Sequence, residues 1–251
     1  MALEDLKGGK LPRHVAIIMD GNARWAERHG RPKLEGYLKG IERAWNVVRL
    51  AKELGIGVLT FYVFSKENWR RPKEDVERLM ALFEDYLVKE REKLFYEGVR
   101  LRVIGDLEDL SPRLRSLVLE TVSLTSSNSA ITVNLALSYS GRWEILQAVK
   151  RICEEVKRGR IGLEELDERA FSEFLLTSGV PDPDLMIRTS GEKRLSNFLL
   201  WQLAYTELYF TEVLWPDFSE DHFLEAIRDY QRRERRFGLD RSQIKELRGE
   251  G

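Results

Sequence analysis

Short apolar runs alternate along the chain with longer amphipathic stretches. The runs at 15–19, 57–65, 99–105, 130–137, 184–189 and 207–213 are dense in strand-forming residues. The stretches at 36–54, 73–97, 108–124, 142–157, 168–177, 195–205 and 219–236 carry helical spacing. Regular strand–helix alternation predicts an α/β fold with a mostly parallel central sheet flanked by helices. No repeat and no low-complexity linker divides residues 1–251, so a single domain is expected.

Two of the helical stretches say more. Within 41–54, Ala44, Val47, Val48, Ala51 and Leu54 form one apolar stripe, and Gly55 supplies a stop. Within 73–97, Val76, Leu79, Met80, Leu82, Phe83, Tyr86 and Leu87 form a wide apolar face. Such a face ordinarily packs a core, and the alternative is that it also walls a long apolar cavity.

Composition narrows the chemistry. Apolar residues make up 43% of the chain, enough for a sizeable core, and the net charge of −1 gives no field that would draw nucleic acid. A single cysteine, Cys153, excludes an intrachain disulfide and reads as a small core residue of a helix. Three histidines, His14, His29 and His222, show no metal-ligand spacing. No apolar run approaches membrane-spanning length and no signal-peptide pattern opens the sequence, so a cytoplasmic location is expected.

The strand ends share a chemical theme. Val15 to Met19 runs into Asp20-Gly21-Asn22, then a helix-like segment led by Arg24 and Trp25. Other strands end in Ser65-Lys-Glu-Asn68-Trp69, in Ser138-Tyr-Ser-Gly141 and in Arg188-Thr-Ser-Gly-Glu192-Lys-Arg194. A parallel sheet brings such ends to one edge, where hydroxyls, glycines and arginines suit an anion. Dinucleotide and P-loop glycine patterns, the Asp-Asp-x-x-Asp signature and a Ser–His–Asp arrangement are all missing from the sequence. The candidates left are Asp20, Glu207 and the arginines 24, 71, 188 and 194, a set suited to a diphosphate ester. Arg24 with Arg71, and Arg188 with Arg194, suggest two anion subsites.

Longer motifs carry a resemblance. His14-Val-Ala-Ile-Ile-Met-Asp20-Gly-Asn22, Phe64-Ser65-x-Glu67-Asn68-Trp69-x-Arg71-Pro72, Gly141-Arg142-Trp143-Glu144, Ile187-Arg188-Thr-Ser-Gly-Glu192, Arg194-Leu-Ser196-Asn197-Phe-Leu-Leu-Trp201-Gln202 and Glu207-x-x-Phe210-Thr211-x-x-x-Trp215-Pro-Asp-Phe218 stand in order. Together they resemble the cis-prenyltransferases, the undecaprenyl diphosphate synthase family, from about residue 12 to residue 238. The resemblance implies a homodimer with a hydrophobic tunnel, and one of Leu82, Phe83, Tyr86, Leu135 or Leu137 would close its far end. It implies an enzyme that condenses isopentenyl diphosphate repeatedly onto an allylic primer, farnesyl or geranylgeranyl diphosphate, with Mg²⁺. The product would be a long polyprenyl diphosphate, a glycosyl carrier lipid precursor. A prenyltransferase with an alcohol acceptor, or an auxiliary subunit of a heteromeric enzyme, are the alternatives.

Residue by residue, the resemblance makes Asp20 the catalytic Mg²⁺ ligand, with Glu207 a second carboxylate near the metal. It places Gly21, Asn22, Ala23, Arg24, Trp25, Lys33, Tyr37 and Arg71 around the allylic diphosphate, and Arg188, Arg194 and Ser196 around isopentenyl diphosphate. Ser65, Asn68 and Trp69 fall on a mobile segment that orients the condensing carbons; Ser65, Asn68 or the departing diphosphate could take the proton. Arg236 and Gly238, in a C-terminal segment 219–238, would complete the neighbouring subunit's site. Ala23, Lys33, Tyr37, Ser140 and Lys193 depart from the usual family residues, and the Lys33 ammonium gives up a bidentate fork. A greasy product should leave slowly, with transient membrane contact and a peripheral location.

Overall fold

The computed structural model describes residues 3–235; the expected roles of Arg236 and Gly238 lie outside them. In chain order the elements are α1 (Leu3–Lys7), β1 (His14–Ile18), α2 (Asn22–Arg28), α3 (Lys33–Leu54) and β2 (Val58–Ser65), then a 3₁₀ turn at Lys66–Arg70 and α4 (Lys73–Tyr96). There follow β3 (Val99–Ile104), α5 (Pro112–Leu124), β4 (Ile131–Tyr139), α6 (Gly141–Lys157), α7 (Glu168–Glu173), β5 (Leu185–Arg188), β6 (Glu207–Phe210) and α8 (Glu220–Arg232). All six strand runs form, with β1 beginning one residue earlier and β4 ending two residues later than expected and the others trimmed, and every pairing is parallel in the order β3-β4-β2-β1-β5-β6.

The strand order locates a crevice. From β1 the chain lays β2 beside it, β3 at the edge and β4 between them on one side, then returns to lay β5 and β6 on the other. The connections on either side of β1 therefore diverge, and ligands of open α/β sheets bind at such a point beyond the carboxyl ends of the strands. Asp20 lies two residues past the end of β1, and Ile18 pairs directly with Arg188, the last residue of β5.

Alternation along the strands makes two cores. Val15 and Ile17, with Leu59, Phe61, Val133 and Ile187, face a large apolar cluster shared with α3, α4, α5 and α8. Ala16 and Ile18, with Met186 and Ala136, face a smaller one holding Tyr139, Phe198, Leu199 and Leu203. Both sides of β1 are thus covered, which is why it reads as an unbroken apolar run.

Two expectations fail. Segment 195–205 is irregular, because Ser196, Asn197 and Leu199 adopt φ of 49°, 63° and 41°, which no α-helix accommodates. Phe198, Leu199 and Leu203 are all buried, so core packing by a coiled loop imitates helical periodicity. Cys153 is exposed, on the solvent face of α6 with Leu146 and Val149, instead of occupying the core.

Candidate active site

A cavity of about 600 Å³ opens at the carboxyl edge of the sheet and continues along its large-core face. Its mouth is lined by Asp20, Gly21, Asn22, Ala23, Arg24, Lys33, Tyr37, Ser65, Asn68, Arg71, Arg188, Arg194 and Ser196. Its interior is apolar. Ile41, Ala44, Trp45 and Val48 of α3 and Leu79, Leu82, Phe83, Tyr86 and Leu87 of α4 form the walls. Phe61, Val63, Leu135, Val133, Leu101 and Val99 form the floor, with Leu94 also deep inside. Leu101, Val133 and Leu59 share one register level, six residues below Ser65, so the cavity reaches about 20 Å into the fold. The wide face of α4 therefore walls a cavity as well as packing the core. Leu82, Phe83, Tyr86 and Leu135 line it, whereas Leu137 is sealed in the core.

Backbone geometry sets the mouth. Gly21, the residue before α2, has φ of 111°, and a Cβ there would come within 2.9 Å of Leu214. A Cβ at Gly36 would meet the Asn22 carbonyl oxygen at 2.2 Å, so a glycine lets α3 cross the start of α2. The non-glycine residues with positive φ among the described residues are Ser138, Ser190, Ser196, Asn197 and Leu199. Ser138 is the penultimate residue of β4, and the other four lie in the loops beyond β5. Strain of this kind gathers where a fold must hold a site open.

Asp20 is the electrostatic centre. One carboxylate oxygen accepts from Arg24 Nη2 at 3.2 Å and the other from Arg188 Nη2 at 3.0 Å. Arg188 is buried, and also donates through Nη1 to Ser196 Oγ at 2.8 Å and to the Arg194 carbonyl. Its Nε has no partner among the described residues. Arg24 donates to the Ser190 hydroxyl and, at 3.3 Å, to the Ser190 carbonyl, and stands 3.5 Å from Glu192. Glu192 also pairs with Arg194. Lys33 is bridged to Asp75 of α4 at 2.7 Å across the mouth, and this hydrogen bond lifts the Lys33 ammonium above its usual range. Arg71 lies within electrostatic reach of both. The two basic groupings are thus Arg24–Arg188–Arg194 about Asp20 and Glu192, and Lys33–Arg71 about Asp75, a different division from the pairs expected.

Other expected residues stand back from the cavity. Trp69 packs edge-on against Phe64 and donates to Ser138 Oγ at 2.8 Å. Trp25 donates to Asp217 and stacks on His29. Glu207 is not brought to Asp20 within this chain. It is the first residue of β6, level with Leu185 at the far edge of the sheet, and is held by Arg233 at 3.0 Å. Lys193 is exposed, and Ser140 accepts a hydrogen bond from Asn197. Tyr62, Glu192, Ser190 and Asp75 carry no role in the sequence reading. Burial pushes the Tyr62 phenol well up, and it donates to the carbonyls of Tyr139 and Ser196 beside the mouth.

Among the described residues no group of three or more His, Cys, Asp or Glu could cage a metal ion. Asp20, a half-exposed carboxylate on the cavity wall, suits a Mg²⁺ ion that takes one carboxylate and fills its remaining positions with phosphate oxygens and water.

A parallel sheet with an anion-binding mouth over a deep apolar cavity defines a protein that handles a diphosphate joined to a hydrocarbon chain. The chain belongs to the prenyltransferase family described as putative undecaprenyl diphosphate synthase, whose model matches residues 18–238. It is 52% identical over 235 residues to an isoprenyl transferase of Geobacillus kaustophilus, covering 94% of this chain and 91% of that one. It is 47% identical to a farnesyl-diphosphate-specific undecaprenyl-diphosphate synthase of Pasteurella multocida, covering 93% and 98%. Lavandulyl diphosphate synthase from Lavandula x intermedia, solved with dimethylallyl diphosphate, superposes with a TM-score of 0.87 at 38% identity, covering 91% of this chain and 98% of that one. A probable undecaprenyl diphosphate synthase from Campylobacter jejuni gives 0.75 at 35%, covering 91% and 99%.

Proposed function

We propose that the protein is a cis-polyprenyl diphosphate synthase that adds isopentenyl diphosphate repeatedly to an allylic diphosphate such as farnesyl diphosphate. The observation that carries this reading is the continuity of the charged mouth with the apolar cavity. A diphosphate anchored at the sheet edge leaves its hydrocarbon tail only one dry place to go, and that place extends along the strands. Each methylene moved there from water contributes about 0.8 kcal/mol, so elongation is favoured over early release.

The side chains divide the work. Arg188, fixed by Ser196 and the Arg194 carbonyl, offers a preset guanidinium to one diphosphate together with Arg194. Arg24 offers a second, across Asp20. Lys33 and Arg71 meet an anion from the α4 side. Asp20 and Glu192 hold these cations in place until a diphosphate takes over their hydrogen bonds. Mg²⁺ on Asp20 would supply charge compensation for the leaving diphosphate. Asn68 and Ser65 stand at the junction of mouth and cavity, where the allylic carbon must meet its partner.

We further place the enzyme in the cytoplasm, with transient membrane contact as product leaves; no helix among the described residues is long and apolar enough to cross a membrane. A homodimer is supported by the open edge of β6 and by the exposed apolar stripe Leu146–Val149 on α6. Product chromatography after incubation of the purified chain with Mg²⁺, farnesyl diphosphate and labelled isopentenyl diphosphate tests the reading. A ladder ending in a long polyprenyl diphosphate is expected. A single-condensation product, transfer only to an alcohol, or activity only with a second polypeptide would each overturn it.

A further inference from the structure

The 3₁₀ turn between β2 and α4 carries Ser65, Asn68 and Arg71 to the cavity mouth. Within the turn, the Asn68 side chain accepts from the Ser65 amide at 3.1 Å, which shapes it without fixing where it lies over the cavity. Glu67 accepts from Asn197 Nδ2 at 2.8 Å on one flank, and two further outer anchors converge on one atom. Lys66 Nζ is 2.7 Å from Asp109 Oδ2, and also 2.7 Å from Asp106. Trp69 Nε1 donates to Ser138 Oγ at 2.8 Å, and the Ser138 hydroxyl donates to the same Asp109 Oδ2. Residues on both sides of Asn68 are therefore tied, one directly and one through a relay, to a single carboxylate in the loop after β3. Ser138 is fully buried and holds φ of 49°, a conformation costly for serine.

We propose that Asp109 is a positioning residue for the condensation, holding the Ser65–Arg71 segment in register over the cavity through Lys66 and through the Ser138–Trp69 relay. The inference rests on the assignment of Ser65 and Asn68 to the condensation site made above. The Lys66–Asp109 pair is partly exposed, so its loss should cost little stability. Reaction geometry is less forgiving, since a displacement of about 1 Å can lower a rate about 100-fold.

The test is steady-state kinetics of isopentenyl diphosphate incorporation for the wild type, Asp109→Asn, Ser138→Ala, their double mutant and Asp109→Glu, each with a melting temperature. Asp109→Asn is expected to lose about tenfold or more in kcat, with KM for both diphosphates within about threefold and melting close to wild type. Asp109→Glu should recover part of the loss. The double mutant should fall no further than its worse single parent, because both substitutions cut one relay. Wild-type kcat in Asp109→Asn, a loss confined to KM, or losses that multiply in the double mutant would overturn the proposal. Should Asp109→Asn melt early, Lys66→Met reads the direct arm, and unchanged kcat there overturns the proposal equally. A wild type that makes no polyprenyl product would overturn the functional reading itself, and the wild-type arm shows that separately.

Discussion

At the scale of single residues, the decisive feature is how few partners do several jobs. Arg188 reaches Asp20, Ser196 and the Arg194 carbonyl at once, which a lysine ammonium could not span in one plane. His14 shows the same economy in the core. Its Nδ1 lies 2.6 Å from the Pro181 carbonyl and its Nε2 lies 2.7 Å from Thr60 Oγ1, which also accepts from Asn134. Burial drives its pKa down to about 4, against the opposing pull of the Pro181 carbonyl and of Asp184. The folded state thus keeps His14 neutral where the unfolded chain would take up a proton. Its contribution is complete above about pH 6.5 and falls away as the pH drops towards 4, by about 3 kcal/mol. Urea melts of wild type and His14→Gln across this range should show a steeper loss for the wild type; parallel curves would remove His14 from the account.

At the scale of elements, the proposed function makes the walls of the cavity the determinant of product length. Val133 of β4 lies at the deep level of the cavity floor, beside Leu101. Val133→Phe should fill that end with little strain, since the ring enters space already open, and shift the product ladder to shorter chains. An unchanged ladder would move the stop elsewhere. The strands were readable because each is a short run dense in strand-forming residues, fully buried in β1 and β5, and α3 and α4 because their stripes are long. The 195–205 loop was not readable, because buried Phe198, Leu199 and Leu203 mimic a helix while left-handed backbone at Ser196, Asn197 and Leu199 forbids one. Five-residue α1 and seven-residue α2 are too short to carry a full period. At the site, motifs pointed to Asp20, Arg24 and Arg188 but not to Asp75, which holds Lys33 from α4, because an ion pair between distant segments leaves no local pattern.

At the scale of the whole molecule, the strand order explains why one edge collects the chemistry. β1 and β5 are neighbours in space, yet the Asp20–Arg188 pair at their carboxyl ends joins residues 168 apart in sequence. Only the completed sheet assembles the mouth. The same scale governs Glu207 and Cys153, whose surroundings in the single chain are the far sheet edge and an exposed face of α6. In the proposed dimer these surfaces meet a second copy. Leu146→Asp with Val149→Asp should therefore lower the mass measured by light scattering from dimer to monomer, and a dimer that persists would put the contact on another face.

Asp20 is the central residue of the site, placed at the switch point of the sheet and held between Arg24 and Arg188. Its most direct test is the rate at which Asp20→Ala incorporates labelled isopentenyl diphosphate onto farnesyl diphosphate, with folding checked by circular dichroism. A folded variant slowed by about 10²–10³-fold or more is the predicted result. Incorporation at the wild-type rate by that folded variant would contradict it.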